Sequence, residues 1–357
     1  MAKIQYPRVV LKVGTNVITK ESGLLNETVM ASIAGQIAEL TKRGVTVILV
    51  SSGAMGAGRA HISLREKIDD VSKRQLLAAV GQPYLMHTYS ELFAKQGISC
   101  AQVLATKEDF RDRQHYLNMQ SCFEALLKEG ILPIVNENDV VAVSELMFSD
   151  NDELAGLIAS MMGSDTLVIL TTVNGVIGDD GTTVLAEIAP ASREWKKVLK
   201  PEMSSFGRGG MHTKCAIAEK LSLLGIQTHI INGTLPGSLT AVLGGRAIGT
   251  AFHPAKQTSS VKRWVAFGEG KEKGSVRINA GAITVITSKD KAASLLPIGI
   301  TAIEGDFEKG DLIELRDEKG SRIGLGMASY GSARACEVMG KKGEKPLVHY
   351  DYLFLST

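Results

Sequence analysis

The chain has 357 residues, 44% hydrophobic and 22% charged, which is enough for two domains with cores of their own and unlike a disordered or fibrous sequence. Forty basic against 38 acidic residues give a formal net charge of +2, too near balance for nucleic acid or an anionic membrane to be the main partner. Cys100, Cys122, Cys215 and Cys336 lie far apart without Cys-x-x-Cys spacing, no stretch approaches the ~18 apolar residues of a membrane span, and the first residues lack the apolar core of a secretory signal. A protein of the reducing cytoplasm, with neither a zinc site nor a disulfide framework nor a membrane partner, is expected.

Residues 8–13 read as a β-branched strand followed by Gly14-Thr15-Asn16, where a glycine lets the backbone turn closely around a ligand. Lys12, a cation at the carboxyl end of that strand, points to an anion site rather than to a snorkelling edge lysine. From Asn26 the period becomes helical: Val29, Ile33, Ile37 and Leu40 share a face, Glu27 sits in the first turn, and Lys42 and Arg43 precede Gly44. Residues 45–50 form a continuous apolar strand that ends in Ser51-Ser52-Gly53-Ala54-Met55-Gly56-Ala57-Gly58-Arg59. Strand, small-residue loop and helix start make an arrangement in which backbone N–H groups and the helix dipole face a phosphate. Neither a Walker loop, nor a dinucleotide fingerprint, nor the protein-kinase motifs occur.

Residues 72–96 look helical, with Gly81-Gln82-Pro83 expected to kink or split the helix. A strand over 98–104, a helix over 116–128 and a buried strand over 131–135 follow, the last running into Asn136-Glu137-Asn138-Asp139. A second polar cluster, Ser149-Asp150-Asn151-Asp152-Glu153, opens an apolar helix over 152–162. Asp and Asn are ordinary turn and cap residues. Two such clusters separated by one short hydrophobic segment point further, to a cleft at the strand ends that holds an ammonium group or orients cations.

The next strand, 166–170, leads into Thr171-Thr172-Val173-Asn174-Gly175, and Gly178-Asp179-Asp180-Gly181 reads as a turn. Gly207-Arg208-Gly209-Gly210-Met211-His212-Thr213-Lys214 is a glycine-rich loop feeding a helix with Ile217, Leu221 and Leu224 on one face. Lys214 near the positive end of that helix gains nothing from its dipole, so an anion is expected beside it. Residues 226–231 read as the last strand of this domain. The alternation of strand and helix predicts an α/β fold, a mostly parallel sheet covered by helices on both faces. From 262 onward only short strand-like runs remain, at 263–267, 283–286, 312–315 and 335–338, and these predict a small β-rich barrel-like or sandwich domain. The domains are accordingly drawn at 1–255 and 262–357. The scattered histidines show no metal-ligand spacing, and no residue is assigned to a metal.

Taken together, Val10-Leu11-Lys12-Val13-Gly14-Thr15, Ser51-Ser52-Gly53-Ala54, Asn136-Glu137-Asn138-Asp139, Asp150-Asn151-Asp152 and Gly209-Gly210-Met211-His212-Thr213-Lys214 resemble the glutamate 5-kinase family of the amino-acid kinase superfamily. Each motif is weak alone, but in this order they are specific, and the resemblance runs over essentially the full chain, with a C-terminal part similar to a PUA domain. It implies ATP-dependent phosphorylation of the L-glutamate side-chain carboxylate, the first step of proline synthesis, with Mg2+ carried mainly on the nucleotide phosphates. Carried onto matching positions, it makes Lys12 and Lys214 stabilisers of phosphoryl charge and Asp152 the residue that orients them. Ser52, Asp139 and Asn151 become glutamate contacts with Asn136 close by. Gly14, Gly53 and Gly210 bring backbone N–H groups to the phosphates, and Thr171 borders the nucleotide. Feedback inhibition by proline, a homo-oligomer and a separate glutamate-5-semialdehyde dehydrogenase as pathway partner are implied as well.

One segment departs from the family. Thr-Asp followed by Gly-Leu-Tyr is usual there, whereas Thr171-Thr172 here precedes Gly175-Val176-Ile177, which leaves the adenine and ribose contacts open. The chemistry agrees independently on one point: a carboxylate acceptor with a pKa of ~4.3 is already ionised at pH 7 and needs no general base. Lysines, glycines and amides then suffice, by positioning and charge stabilisation. The rival readings are an enzyme of the same fold acting on aspartate, acetylglutamate, carbamate or a nucleoside monophosphate, and an RNA-binding protein acting through the C-terminal domain. The acceptor run at 136–139 weighs against the first and the two lysines against the second, while RNA stays open as an additional partner.

Overall fold

The computed structural model describes residues 5–20, 22–62, 68–110, 113–142, 151–190, 192, 194–199, 210–255, 265–267, 272–288 and 293–355. Ser149 and Asp150 of the second polar cluster, Gly207, Arg208 and Gly209 of the glycine-rich loop, and residues 263–264 of an expected strand lie outside them. The chain divides into two compact units, Met1–Gln257 and Thr258–Thr357.

The first unit contains, in order, β1 (Arg8–Val13), α1 (Thr15–Ile18), α2 (Glu27–Lys42), β2 (Thr46–Ser51), α3 (Ala54–His61), α4 (Asp70–Ala94), β3 (Cys100–Ala105), α5 (Arg113–Lys128), β4 (Leu132–Glu137), α6 (Asn151–Met161) and β5 (Thr166–Thr171). There follow β6 (Glu187–Ile188), α7 (Glu194–Val198), α8 (Met211–Leu223), β7 (Gln227–Asn232), α9 (Ser238–Leu243) and β8 (Thr250–Phe252). Among the described residues, eight strands form one sheet in the order β3-β4-β2-β1-β5-β7-β8-β6. The six strands from β3 to β7 run parallel, so their carboxyl ends share one edge of the sheet.

Side-chain alternation along β1 decides what each face does. Val9, Leu11 and Val13 are fully buried with Val47 and Leu49 of β2, Met30, Ile33 and Ile37 of α2, and Leu85, Tyr89 and Phe93 of α4. Lys12 therefore points to the opposite face, where α6 packs across β1, β2, β4 and β5. Helix α2 starts at an Asn26 cap whose side chain accepts from the Val29 N–H, worth about 1 kcal/mol, and the chain turns out of it through Gly44 at φ 86°.

Helix α4 is a single 25-residue helix with Pro83 inside it, so Gly81-Gln82-Pro83 does not split it. A proline inside a helix costs about 3 kcal/mol. Burial of Leu85, Tyr89 and Phe93, at roughly 1.5–3 kcal/mol for each large side chain, outweighs that cost. Gly81 has a different task, because a Cβ there would overlap the Ala54 carbonyl oxygen of α3. Gly58 has the same task in reverse, since a Cβ on it would overlap the Leu77 carbonyl oxygen of α4. Gly58 thus serves the helix crossing. Gly81→Ala is expected to cost about 1–3 kcal/mol through overpacking, read as a lowered Tm. Because α3 begins just after Ser52, the same variant should also disturb the site.

The strand at 226–231 is not the last of this sheet. β8 pairs antiparallel with β7, and β6 pairs parallel with β8. Elements of three and two residues carry no readable period. What places β8 is Gly249, at φ 73°, whose missing Cβ admits the Ile230 carbonyl oxygen.

The second unit holds β9 (Gly274–Ile278), α10 (Ala280–Thr287), β10 (Ile300–Gly305), β11 (Leu312–Arg316), β12 (Arg322–Met327), α11 (Ser332–Val338) and β13 (Leu353–Leu355). Its sheet has the order β10-β9-β11-β12-β13, around a core that includes Val276, Ile278, Phe307, Ile313, Leu315 and Val348. It is strand-rich, as expected. The runs at 283–286 and 335–338, however, are helical. The Asn279 side chain accepts from the Ala282 N–H and starts α10, where burial of Ile286 overrides the β-branched composition of 283–286, and Ala335 and Val338 bury one face of α11. Of the run at 263–267, Val265 and Ala266 are also helical. Among the described residues, no helix is long and apolar enough to cross a membrane.

Candidate active site

Lys12 sits one residue before the end of β1, in register with Val50 of β2 and Ile169 of β5. It reaches the first turn of α6, where its Nζ lies 2.6 Å from Asp152 Oδ1. Lys214, in the first turn of α8, places its Nζ 2.8 Å from the other oxygen, Asp152 Oδ2. Asp152 is completely buried and the lysines are 4% and 8% exposed. Charges so far from water must be paired, and one carboxylate here holds two cations. An ammonium group has three donors, so it can bind a carboxylate oxygen and a phosphoryl oxygen together.

Gly14 leaves room beside Lys12. A Cβ on Gly14 would project to 3.6 Å from Lys12 Nζ, into the space that an anion approaching it needs. Gly53, at φ 110°, occupies the left-handed region before α3, where a side chain would also press on Ile18. Gly210 is the N-cap of α8, and its carbonyl accepts from the Lys214 N–H. Thr171 ends β5 beside Asn232 of β7, and the preceding Leu170 carbonyl accepts from the Gly14 N–H. The ends of β1, β5 and β7 therefore adjoin. Next to them a cavity of ≈ 300 Å³ is lined by Asn174, Val184, Ala186, Asn232, Leu235, Ala247, Ile248 and Gly249.

A second group of side chains meets at the ends of β2 and β4. The Asn151 amide Nδ2 donates to Ser52 Oγ and to Asn136 Oδ1, each at 2.8 Å. Asn136 in turn donates to Gln82 Oε1 of α4, and its Oδ1 also accepts from the Glu137 N–H. The buried Asn151 Oδ1 has no hydrogen-bond partner among the described residues. An orphaned buried acceptor costs about 1–3 kcal/mol, and a ligand donor would recover it. Asn151 and Asp152 are consecutive in α6, so the first turn of one helix touches the amide cluster with one side chain and both lysines with the next.

Asp139, 9% exposed, belongs to a third arrangement that reading the sequence missed. Arg74 of α4 donates through Nε to Asp139 Oδ1 at 2.6 Å and through Nη2 to Glu137 Oε2 at 2.7 Å. Burial pushes the Asp139 carboxyl above its ordinary range, while the charge and hydrogen bond of Arg74 act in the opposite direction. Neither Arg74 nor Gln82 had a signal in the sequence, since a polar residue within a helix reads as a solvated face. Glu137 stood inside the run at 136–139 without a role.

Comparison with known proteins matches the chain to a family. Residues 7–232 match the amino acid kinase family and residues 274–350 the PUA domain. The chain is 53% identical over 352 residues to the glutamate 5-kinase of Chlorobaculum tepidum, covering 98% of each chain. It is 47% identical over 360 residues to that of Bacteroides thetaiotaomicron, covering 99% of each. A solved structure titled UMP kinase from Bacillus anthracis aligns with a TM-score of 0.49 at 15% identity, covering 70% of this chain and 96% of the other. The parallel sheet with its lysine-lined edge is that of an amino-acid kinase, joined here to a strand-rich PUA domain. Within that class, the chain belongs to the glutamate 5-kinase family.

Proposed function

We propose that this chain transfers the terminal phosphoryl group of ATP to the side-chain carboxylate of L-glutamate, giving L-glutamyl 5-phosphate for proline biosynthesis. The observation that carries the reading is the pair of buried lysines held on the two oxygens of Asp152. One bond forms, from a glutamate carboxylate oxygen to phosphorus, and one breaks, between phosphorus and the oxygen that leaves with ADP. Lys12 and Lys214 offset the negative charge on the transferring group, and Asp152 fixes both ammonium groups before the reaction begins. Gly53 and Gly210 bring backbone N–H groups to the phosphates, whereas Gly14, whose own N–H donates to the Leu170 carbonyl and so is not offered to a phosphate, keeps the space beside Lys12 open. Thr171 and the cavity at the ends of β5 and β7 take the rest of the nucleotide. Magnesium would be carried by the phosphates and neutralise part of their charge.

On the acceptor side, Ser52, Asn136 and Asn151 hold glutamate beside the lysines, and Asp139 takes its ammonium group. We further infer a homo-oligomer in the cytoplasm, kinase and PUA domains at 1–255 and 262–357, and glutamate-5-semialdehyde dehydrogenase as the enzyme that consumes the labile product. RNA is left as an additional partner of the PUA domain. Proline, which shares the α-carboxylate and amino nitrogen of glutamate, is the expected feedback inhibitor.

The test is an assay with ATP, magnesium and glutamate in which hydroxylamine traps the acyl phosphate. Hydroxamate should form only with all three present. Absence of hydroxamate, with phosphorylation of aspartate or a nucleoside monophosphate instead, would reject glutamate as acceptor. In the same assay proline should slow the initial rate at low glutamate and lose its effect as glutamate rises. No effect of proline at low glutamate would remove the regulation and leave the kinase.

A further inference from the structure

We propose that Arg74 is a positioning residue for the amino-acid substrate: from α4 it clamps Glu137 and Asp139 together and aims the Asp139 carboxylate at the ammonium group. This rests on the reading of Asp139 as a glutamate contact. Two carboxylates two residues apart at the end of β4, 5% and 9% exposed, repel each other unless a cation lies between them. Arg74 supplies that cation in a fixed geometry, because its planar guanidinium reaches Asp139 Oδ1 through Nε and Glu137 Oε2 through Nη2. Its own side chain is 11% exposed, so the clamp is shielded from water and from salt.

The clamp joins the rest of the acceptor side through its neighbours. Glu137 follows Asn136, which holds Asn151, and Gln82, two turns beyond Arg74 on the same helix, holds Asn136. One face of α4 thus fixes both ends of the run from 136 to 139. Without Arg74, Asp139 loses its anchor and the site gains a unit of negative charge. Glutamate itself carries a net negative charge at neutral pH, so both changes weaken its binding.

The test is kinetic and uses the full chain. Arg74→Gln should raise the glutamate KM about tenfold, with kcat within about threefold of wild type and the ATP KM unchanged. Arg74→Lys keeps the charge but not the two-pronged geometry and should fall between them. In Arg74→Gln combined with Glu137→Gln the surplus negative charge is removed again, and the glutamate KM should lie closer to wild type than in the single variant. A merely structural arginine would instead show its loss in kcat, both KM values and Tm together. The proposal is overturned by an unchanged glutamate KM in Arg74→Gln, by a double variant no better than the single one, or by kcat, both KM values and Tm failing together. Asp139→Asn separates the two levels. If it leaves the glutamate KM unchanged, the contact reading of Asp139 fails and the proposal with it; if it raises that KM while Arg74→Gln does not, the proposal alone fails.

Discussion

Replacing Lys12 or Lys214 with alanine is expected to lower kcat by about 100-fold or more and to leave the glutamate KM nearly unchanged, by analogy with the loss of one oxyanion donor. Interactions that strengthen only as charge moves onto the transferring group act on kcat, whereas contacts equal in ground and transition states act on KM. Asp152→Asn should resemble the lysine variants for a visible reason: it leaves two buried ammonium groups facing a neutral amide in place of the carboxylate that holds them at 2.6 and 2.8 Å. Breaking a buried ion pair costs about 3–5 kcal/mol, so each variant's Tm must be measured beside its kinetics. A folded Lys12 or Lys214 variant with wild-type kcat would sink the mechanism.

Asp139→Ala and Asn151→Ala should act on the other parameter, raising the glutamate KM by roughly tenfold or more with little change in the ATP KM. A charge-assisted hydrogen bond is worth about 1.5–3 kcal/mol, which is one to two factors of ten. Asn151 carries a complication. Its Nδ2 ties Ser52 to Asn136, so the alanine variant loosens both of these residues at once and its effect should exceed that of Ser52→Ala. If both variants lowered kcat in proportion and left KM alone, the division between a phosphoryl side and an acceptor side would be wrong.

Part of this arrangement was legible in the residues. Continuous apolar runs and their helical neighbours gave β1, α2, β4, β5 and β7 to within a residue or two, because strands buried on both faces have little freedom in composition. Lys12 stood out as a cation interrupting such a strand, and Asn151 and Asp152 as polar residues opening an apolar helix. Short elements were not legible. β6 and β8 are too brief to show a period, 283–286 became helical because the Asn279 cap and buried Ile286 outweigh the preferences of a few β-branched residues, and 335–338 became helical as Ala335 and Val338 bury one face.

What the sequence determined by itself was the alternation of elements, the strand-rich character of the C-terminal unit and the types of residue available at the strand ends, since these follow from periodicity and composition within short windows. Only the tertiary structure decided which of them meet. Asp152 joins Lys12 and Lys214 across 140 and 62 positions of chain, and Gly58 and Gly81 are needed where two helices cross. Arg74 of α4 closes on Glu137 and Asp139 across 63 and 65 positions. Parallel strands bring their carboxyl ends to one edge whatever the length of chain between them, so such partners carry no local signature and appear only when the sheet is assembled.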